Sequence, residues 1–271
     1  MSSEPVSDIA INRRMRGLDR AVEILDFLRE RRKPARPNEI AIGIDAPKST
    51  AYELVNLLLK LGILEHTGDD GRVFLGRKLY FLGLAWQTQF DLTRECKAHL
   101  AHLAETTRET AQLCMLDGCK YTVAMLKEGA RPFRISSDIG EPIPIPWTAS
   151  GRLLVSHMSD AEILAFVPKA DFILPDGSTL GSQEFLAQVS SAREDGFFSF
   201  DSIADSFTHC FSAPVYQNGG VCVATLCLVA PRDDAAKNFE NYRHTLIEEA
   251  RELSSKLGET PVRFSTVAYS T

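Results

Sequence analysis

The chain has 271 residues, a net charge of −6 and 44% apolar residues. Its length suits one large domain or two of ordinary size, and its composition excludes a disordered or fibrous chain. No apolar run reaches the roughly 18 residues of a membrane span, and the polar N-terminus lacks the apolar segment of a secretory signal. We therefore expect a cytoplasmic protein that does not enter the membrane. The six cysteines show no framework spacing, and in that compartment we expect reduced thiols.

Basic residues gather in the N-terminal third, although the chain as a whole is acidic. Arg13, Arg14 and Arg16 form one group, and residues 29–36 carry a second. A local basic patch can bind phosphates even on an acidic protein, whereas solvated helix ends would give the same pattern. The charge distribution therefore permits a nucleic-acid partner without requiring one.

The N-terminal third begins with two predicted helices. Residues 1–12 are typical of a flexible arm, and "GLDRAVEILDFLRERRK" then has the apolar spacing of a helix with one buried stripe. A second, short helix is predicted in "PNEIAIGID", with Asn38 as its cap. The stripe of the first helix consists of Leu18, Ala21, Val22, Leu25 and Leu28.

A third helix is predicted to begin in "APKST", where Pro47 suits the first turn because its missing N–H costs nothing there. Gly62 ends this helix. The segment "GILEHTGDDGRVFLG" then predicts two strands joined by a tight Asp70-Gly71 turn, which gives a winged helix-turn-helix domain over residues 13–76. The buried stripe of the third helix consists of Leu54, Leu57, Leu58 and Leu61.

The next segment, "RKLYFLGLAWQTQF", is apolar around much of its circumference. A helix so apolar beside a small domain is expected to pack on another surface. We assign residues 77–92 to a linker helix in a dimer interface. Packing on the chain's own C-terminal domain is the alternative.

Residues 93–260 predict a second domain. A helix over 93–108 precedes a hairpin with an Asp117-Gly118 turn, and a proline-punctuated connector leads to a helix that opens in "TASGRLLVSHM". Further strands follow, with a turn at Asn218-Gly219, before a long helix over 235–257. This order indicates an antiparallel sheet covered by helices, so the whole chain is predicted to be a two-domain α+β protein.

Several segments, taken in this order, resemble the IclR family of bacterial transcriptional regulators. The resemblance runs from about residue 17 to residue 258. It implies a winged helix-turn-helix, a linker helix that dimerises, and a C-terminal effector domain of the GAF-like fold. It also implies homodimers or homotetramers on double-stranded operator DNA, gated by a small molecule. The segments are "GLDRAVEILDFL", "IAIGIDAPKSTAYELVNLLLKLGIL", "FLGRKLYFLG", "TASGRLLVSHM" and "FSAPVYQNGGVCVATLCLVAP".

The third helix carries the predicted base contacts, because a recognition helix places its N-terminal turns in the major groove. Lys48, Ser49 and Thr50 lie on the first turn, where free N–H groups also favour a phosphate. Tyr52 and Asn56 follow, opposite the leucine stripe; Asn pairs with adenine, and Tyr contacts phosphate or a thymine methyl. The alternative is that Ser49 and Thr50 only cap the helix and that Tyr52 packs on the second helix.

Glu53 departs from the family pattern, which usually has Arg at this position. Three interpretations compete: Glu53 accepts a hydrogen bond from cytosine, orients a nearby arginine, or excludes wrong operators. We favour the second or third, because a bare carboxylate against phosphates lowers affinity. Arg16 and Arg20 are further candidates for backbone or minor-groove contact. The wing offers Arg72, whereas its acidic tip at 69–70 is expected to stay off the phosphates.

The segment "TASGRLLVSHM" places small residues at a helix start, where free N–H groups make a natural carboxylate site. The resemblance implies that Ser150 and Gly151 border the effector pocket and that Cys210, Cys227 and Val229 match pocket-facing positions. Family members that bind small keto acids carry hydroxyls on that last strand. We therefore expect a less polar pocket that takes an aromatic or longer apolar acid. Core packing is an equally good account of Cys210, Cys227 and Val229.

Other chemistry finds little support in the sequence. Cys96, His99 and His102 share a helix face, but their spacing matches no closed metal site. No nucleophile elbow, P-loop or dinucleotide fingerprint is present, so we predict no catalytic residue, no metal and no cofactor. The predicted function is a ligand-responsive regulator, a repressor of a catabolic operon gated by a small organic or aromatic acid. The alternative is a small-molecule binding protein or enzyme that uses the winged helix only for protein contacts.

Overall fold

The computed structural model describes residues 6–89, 91–131, 138–203, 205–217 and 220–258, with residues 6–16 as backbone only. The side chains of Arg13, Arg14 and Arg16 and the predicted Asn218-Gly219 turn lie outside this part. The chain divides into two compact units, Met1–Gln89 and Phe90–Thr271. No helix among the described residues is long and apolar enough to cross a membrane.

The N-terminal unit has the predicted winged helix-turn-helix architecture. β1 and β2 form an antiparallel wing with Leu64 opposite Leu75. Ala35 joins the wing as well, because its backbone exchanges two hydrogen bonds with Val73, at 3.1 and 2.9 Å. The elements are α1 (Val6–Arg31), α2 (Pro37–Gly43), α3 (Lys48–Lys60), β1 (Leu64–His66), β2 (Val73–Leu75) and α4 (Arg77–Gln89).

The start of α1 differs from the sequence prediction. The helix begins at Val6, so the flexible arm predicted over 1–12 is wrong from that residue onward, and residues 1–5 lie outside the described part. The segment carries Ala, Arg and Met, which favour a helix without help from tertiary contacts. The predicted stripe of α1 is also partly wrong, because Leu18 is 68% exposed and Val22 is 50% exposed. The core instead takes Ile24 and Leu28 from the C-terminal half of the helix.

The buried face of α3 is shifted in the same way. Leu58 is buried as predicted, but Leu57 and Leu61 are about half exposed. Ala51 and Val55 are buried instead. A small core covers only a narrow side of each helix, and compact side chains fit that side where the long leucines were expected.

The ends of α2 and α3 are set by local chemistry. Asn38 is not the cap of α2, because that helix follows Arg36, whose N–H donates to the Glu39 carboxylate at 2.9 Å. Gly62 ends α3 as predicted, with φ of 71° and its N–H bonded to the carbonyl of Leu59. A glycine adopts this left-handed conformation without steric strain.

The C-terminal unit contains a five-stranded antiparallel sheet of order β4-β3-β7-β6-β5 within the described residues. The predicted hairpin of β3 and β4 is present, but its turn residues are Gly118 and Cys119, because Asp117 still pairs with Lys120. The last helix begins slightly earlier than expected, at Arg232. The predicted α+β fold class is confirmed. The elements are α5 (Asp91–Thr107), β3 (Thr110–Asp117), β4 (Lys120–Lys127), α6 (Ala149–Leu154), α7 (Asp160–Phe166), α8 (Ser182–Asp195), β5 (Phe198–Asp201), β6 (Thr208–Gln217), β7 (Val221–Pro231) and α9 (Arg232–Gly258).

The two faces of this sheet have different roles. Phe211, Leu226 and Leu228 belong to the main core, which includes apolar residues of α5 and α9. Alternate residues of a strand point to opposite faces, so Cys227 and Val229 belong to a separate cluster on the other face, together with Leu154 of α6. This second face carries the pocket described below.

Candidate DNA-binding and effector sites

The first turn of α3 is open for contact. Pro47 occupies the N-cap position and no side chain caps the helix there. The first helical hydrogen bond runs from the Ala51 N–H to the Pro47 carbonyl, at 3.0 Å. The preceding amides of Lys48 and Ser49 are therefore outside the helical ladder, which is the arrangement that attracts a phosphate.

The predicted contact residues of α3 lie on one exposed surface. Lys48, Ser49, Tyr52, Glu53 and Asn56 are exposed. Thr50 is half-buried beside them. Tyr52 is 46% exposed, so packing on α2 does not account for it. Capping does not account for Ser49 or Thr50 either, since Pro47 holds the N-cap position.

Glu53 has no hydrogen bond or ion pair with any other described residue. Two arginines of the N-terminal unit pair with other carboxylates: Arg31 with Glu39 at 2.7 Å, and Arg72 with Asp70 at 2.9 Å. In the protein alone, Glu53 is thus an open carboxylate on the exposed face of α3. The interpretation that it orients an arginine has no contact to support it in the described structure.

Arg72 ties the wing to the helices. Its Nε donates to the Asp70 carboxylate at 2.9 Å, its Nη1 donates to the Pro34 carbonyl at 3.2 Å, and it lies 3.7 Å from Glu39. Burial alone would raise the pKa of Asp70, but the hydrogen bonds from Arg72 lower it overall. Arg72 is half-buried, so contact with a phosphate would compete with these partners.

The two remaining predicted contacts lie on α1. Arg20 is half-buried and makes no ion pair within the described structure. The side chain of Arg16 lies outside it. The recognition surface that the described residues define is therefore the exposed face of α3.

The C-terminal unit contains an open pocket of about 420 Å³ on the sheet face away from α9. Four of the five predicted ligand-binding residues line it, namely Ser150, Cys210, Cys227 and Val229. The register explains how they meet: Cys210 pairs directly with Val229 across β6 and β7, and Cys227 pairs with Gln112 of β3. The core-packing alternative is also partly right, because Cys227 and Val229 are largely buried in the cluster beneath the pocket.

Gly151 does not line the pocket, and its N–H is not free. That N–H donates to the Thr148 hydroxyl at 3.2 Å, which caps α6. A Cβ at this position would lie 1.9 Å from the carbonyl oxygen of Ile145. Gly151 is therefore needed for the close approach of the start of α6 to the preceding turn. The N–H of Gly151 is also not one of the free amides that the predicted carboxylate site requires.

Several pocket residues were missed by sequence reasoning. The parity of β3 could have identified Cys114, which alternates with the core residue Leu113, and the hairpin register brings Tyr121 of β4 nearby. Thr208 begins β6 two residues before Cys210 and Phe200 lies on the edge strand β5, so strand parity could have indicated both; Trp147 and Thr148 precede α6 and have no such signal. The missed residues include Cys114, Tyr121, Trp147, Thr148, Phe200 and Thr208.

The floor of the pocket is uncharged at neutral pH. Burial raises the pKa of the Cys114 thiol to about 11 and that of Cys210 to about 12. Burial also raises the pKa of the Tyr121 phenol well above its usual value. The Ser150 hydroxyl lies 3.0 Å from the hydroxyl of Ser212, a fully buried residue beneath the pocket. Thiols held neutral by burial are weak nucleophiles, and this floor is suited to binding rather than to covalent chemistry.

Arg152 supports the pocket wall from behind. It is only 3% exposed, and its N–H groups donate to Gln188 Oε1 and to the carbonyls of Pro146 and Thr148. Its guanidinium lies 5.0 Å from the ring of Phe200. Burial lowers its pKa to about 10, so it stays charged at neutral pH. The residue fixes the backbone on either side of Trp147.

Two histidines of α5, His99 and His102, lie beside one carboxylate of α9. His99 Nδ1 lies 2.5 Å from Glu249, and His102 Nε2 lies 3.6 Å from the same carboxylate. Cys96 is buried in the core and is not part of this group. Among the described residues His99, Glu249 and Glu252 could hold a metal ion, but the Lys256 ammonium lies 3.3 Å from His99 Nε2 and 2.9 Å from Glu252. A cation of the protein itself thus already contacts this cluster.

A winged helix with an open recognition face, joined in one chain to a domain with a small-molecule pocket, is the arrangement of a transcriptional regulator that carries an effector domain. Both parts match family models. Residues 17–68 match the IclR helix-turn-helix domain, and residues 85–256 match the bacterial transcriptional regulator IclR C-terminal model. The chain belongs to the IclR family of bacterial transcriptional regulators, which are not enzymes.

Known proteins agree with this assignment. The HTH-type transcriptional regulator XynR of Escherichia coli K12 is 27% identical over 247 residues, which cover 90% of this chain and 98% of XynR. A putative IclR regulator from Silicibacter sp. TM1040 has the same fold, with a TM-score of 0.81 at 18% identity over 92% of this chain and 100% of its own. An IclR homolog from Microbacterium hydrocarbonoxydans, complexed with 4-hydroxybenzoate, gives 0.73 at 23% identity over 89% and 98%.

Proposed function

We propose that the protein is a ligand-responsive repressor of a catabolic operon. It binds operator DNA through the exposed face of α3 and leaves the DNA when a small organic molecule occupies the pocket of the C-terminal unit. The observation that carries the proposal is the surface formed by Lys48, Ser49, Tyr52 and Asn56 beside an uncapped helix start. Bacterial operators lie in the cytoplasm, and we place the protein there.

The DNA contacts divide into two kinds. Lys48, Ser49 and Thr50 supply the phosphate contacts, which give affinity and salt dependence. Tyr52, one turn further on, and Asn56, two turns further on, supply the base contacts. Arg16 and Arg20 supply additional backbone contacts. We assign Glu53 to discrimination between operators, because an unpaired carboxylate penalises every site that does not offer it a donor.

The oligomer is proposed from α4. Tyr80, Phe81 and Leu82 are each more than half exposed, and Trp86 is 42% exposed. Large side chains exposed together mark an interaction surface. We propose that α4 pairs with its copy in a homodimer, or in a homotetramer built from such dimers. Two recognition helices then face successive turns of the major groove.

The pocket is proposed as the effector site. Its aromatic residues Tyr121, Trp147 and Phe200 support an aromatic or apolar body for the ligand. The relative complexed with 4-hydroxybenzoate supports a small aromatic ligand. The acid expected from the sequence stays a prediction, and its charge lacks support in the described lining.

The alternative function was a small-molecule binding protein or an enzyme. The enzyme is excluded, because the family consists of regulators. The remaining question is whether the winged helix meets DNA. Titration of the protein against the promoter region of its own gene, with salt varied, tests this. We expect the affinity to fall steeply with salt. An absent salt dependence would rule out the proposed function and leave a winged helix that serves protein contacts.

A further inference from the structure

We propose that helix α9 packs against the α9 helix of a second copy of the chain, antiparallel to it and around a two-fold axis. The inference goes beyond the proposed function, because it assigns an interface to the C-terminal unit and does not depend on DNA binding or on α4. Its surface, which we call the α9 face, consists of Glu240, Arg243, His244, Ile247, Glu248 and Arg251.

The α9 face has the shape that a second helix requires. Its side chains form two rows with four-residue spacing, and an open groove of about 230 Å³ lies among them. Both rows follow the kink at Asn238, so they lie on an uninterrupted stretch of helix. Rows of this spacing are the ridges that pack into the grooves of another helix. One row consists of Glu240, His244 and Glu248, and the other consists of Arg243, Ile247 and Arg251.

The charges of the α9 face complement the same face in a second copy. With the axis between residues 245 and 246, Glu240 lies opposite the partner's Arg251, and Arg243 lies opposite the partner's Glu248. A two-fold axis makes each of these contacts twice. The carboxylates and guanidinium groups of each face thus meet opposite charges in register. Nothing requires such symmetry of a helix that faces water or an unrelated partner, and we therefore assign the face to a second copy.

The centre of the α9 face is less polar than its ends. His244 lies opposite the partner's Ile247 beside the axis, so imidazole rings and isoleucine side chains fill the middle of the contact. Ile247 already packs against the main core on its inner side, which holds it in place. An apolar centre within a polar rim is the usual arrangement of a protein interface.

The charged side chains of the α9 face can form these contacts at little cost. Arg243 lies 3.8 Å from Glu240, and its guanidinium lies 5.4 Å from the Phe197 ring, which fixes it on the face. The ion pair of Arg243 and Glu240 is exposed, and exposed pairs within one helix contribute little to stability. Arg251 is exposed and makes no ion pair among the described residues. Contact with a second copy therefore breaks no strong contact within the chain.

The test exchanges charges between the two copies. Glu240→Arg and Arg251→Glu are made singly and together, and association of the full chain is measured by sedimentation equilibrium at low salt. Each single variant sets like charges opposite one another and should weaken association by about tenfold or more. The double variant restores opposite charges and should recover association to within about threefold of the wild type.

Recovery in the double variant can come only from contact between copies. Residues 240 and 251 are separated by about 16 Å along α9, too far for the two side chains to meet within one chain. The matched control is Glu105→Arg with Lys97→Glu, which makes the same exchange at exposed positions on α5 and should leave association unchanged.

The contribution of α9 is separated from that of α4 by repeating the measurements in the Phe81→Asp background. Phe81 is 60% exposed on α4, and a carboxylate there disfavours the pairing proposed for that helix. Association through α9 should persist in this background and respond to the same charge reversals.

Three results would overturn the inference: single variants that associate as the wild type does, a double variant that does not recover, and a Phe81→Asp protein that is monomeric at every concentration. If Glu240→Arg is poorly folded by circular dichroism, Arg243→Glu with Glu248→Arg provides the same cycle of variants and is judged by the same results.

Discussion

The substitution Glu53→Arg should raise the affinity of the protein for non-operator DNA and steepen its salt dependence. Glu53 lies on the exposed face of α3 that also carries Ser49 and Asn56. It has no partner among the described residues, so the change replaces an open carboxylate by an open guanidinium without breaking a described contact. An arginine on this face would reach phosphates that the carboxylate repels.

The expected magnitude follows from the number of phosphates gained. Each phosphate neutralised on duplex DNA adds about 0.9 to the slope of log affinity against log salt. A homodimer presents two α3 helices, so the slope should steepen by about 1.8. Raising the salt from about 50 to about 200 mM would then cost the variant roughly tenfold more affinity than the wild type loses.

The assay is fluorescence anisotropy of a labelled duplex, measured once with the promoter region and once with a scrambled sequence. Glu105→Arg, on α5 of the other unit, makes the same change of charge away from α3 and controls for net charge. Equal slopes for Glu53→Arg and the wild type would mean that this face does not meet DNA. A gain on the scrambled duplex with no gain on the promoter would instead support discrimination by Glu53.

The remaining predictions concern base recognition by α3, the backbone at the start of α6, and the wall of the pocket. Asn56→Ala should lower the preference for the operator over the scrambled duplex by about 1–3 kcal/mol and leave the salt slope unchanged, as measured by the same anisotropy titration. Gly151→Ala should lower the free energy of unfolding by about 1–3 kcal/mol in urea denaturation, because its Cβ would clash with the Ile145 carbonyl; an unchanged midpoint would refute the close approach. Arg152→Ala should lower the melting temperature and weaken ligand binding, since the Pro146 and Thr148 carbonyls lose their donor, and Arg152→Lys should rescue neither fully because it cannot span both Gln188 and those carbonyls.

The order of elements could be predicted because each one carries a local signal. Gly62 and the Asp70-Gly71 turn have chemistry that fixes a helix end or a hairpin without tertiary help. The buried faces of α1 and α3 were harder, because burial depends on the neighbours of a helix as well as on its own spacing. Leu57 is exposed and Ala51 is buried, which no single-helix periodicity would choose.

The pocket, too, contains residues that the sequence could place and residues that it could not. The family resemblance implies the pocket positions of Cys210, Cys227 and Val229, and the alternation of strand residues between the two faces explains why they lie away from the main core. Asp138 and Asp205 lie in loops and Trp147 ends a short 3-10 helix, and only the tertiary structure brings them to the pocket. The sequence predicts the residues of one helix and two strands of the pocket, because loops carry no periodicity that would place them.

The residues that fix the backbone around the pocket are different from the residues that line it. Gly151 and Arg152 act on backbone: one permits the approach to Ile145, and the other binds the carbonyls beside Trp147. Neither lines the pocket, so changes there should affect every ligand alike. The lining positions of β6 and β7 alternate with core residues that face α5 and α9, and their side chains can change without disturbing that core. A fold organised in this way can keep the same backbone around the pocket while the side chains that line it differ between relatives.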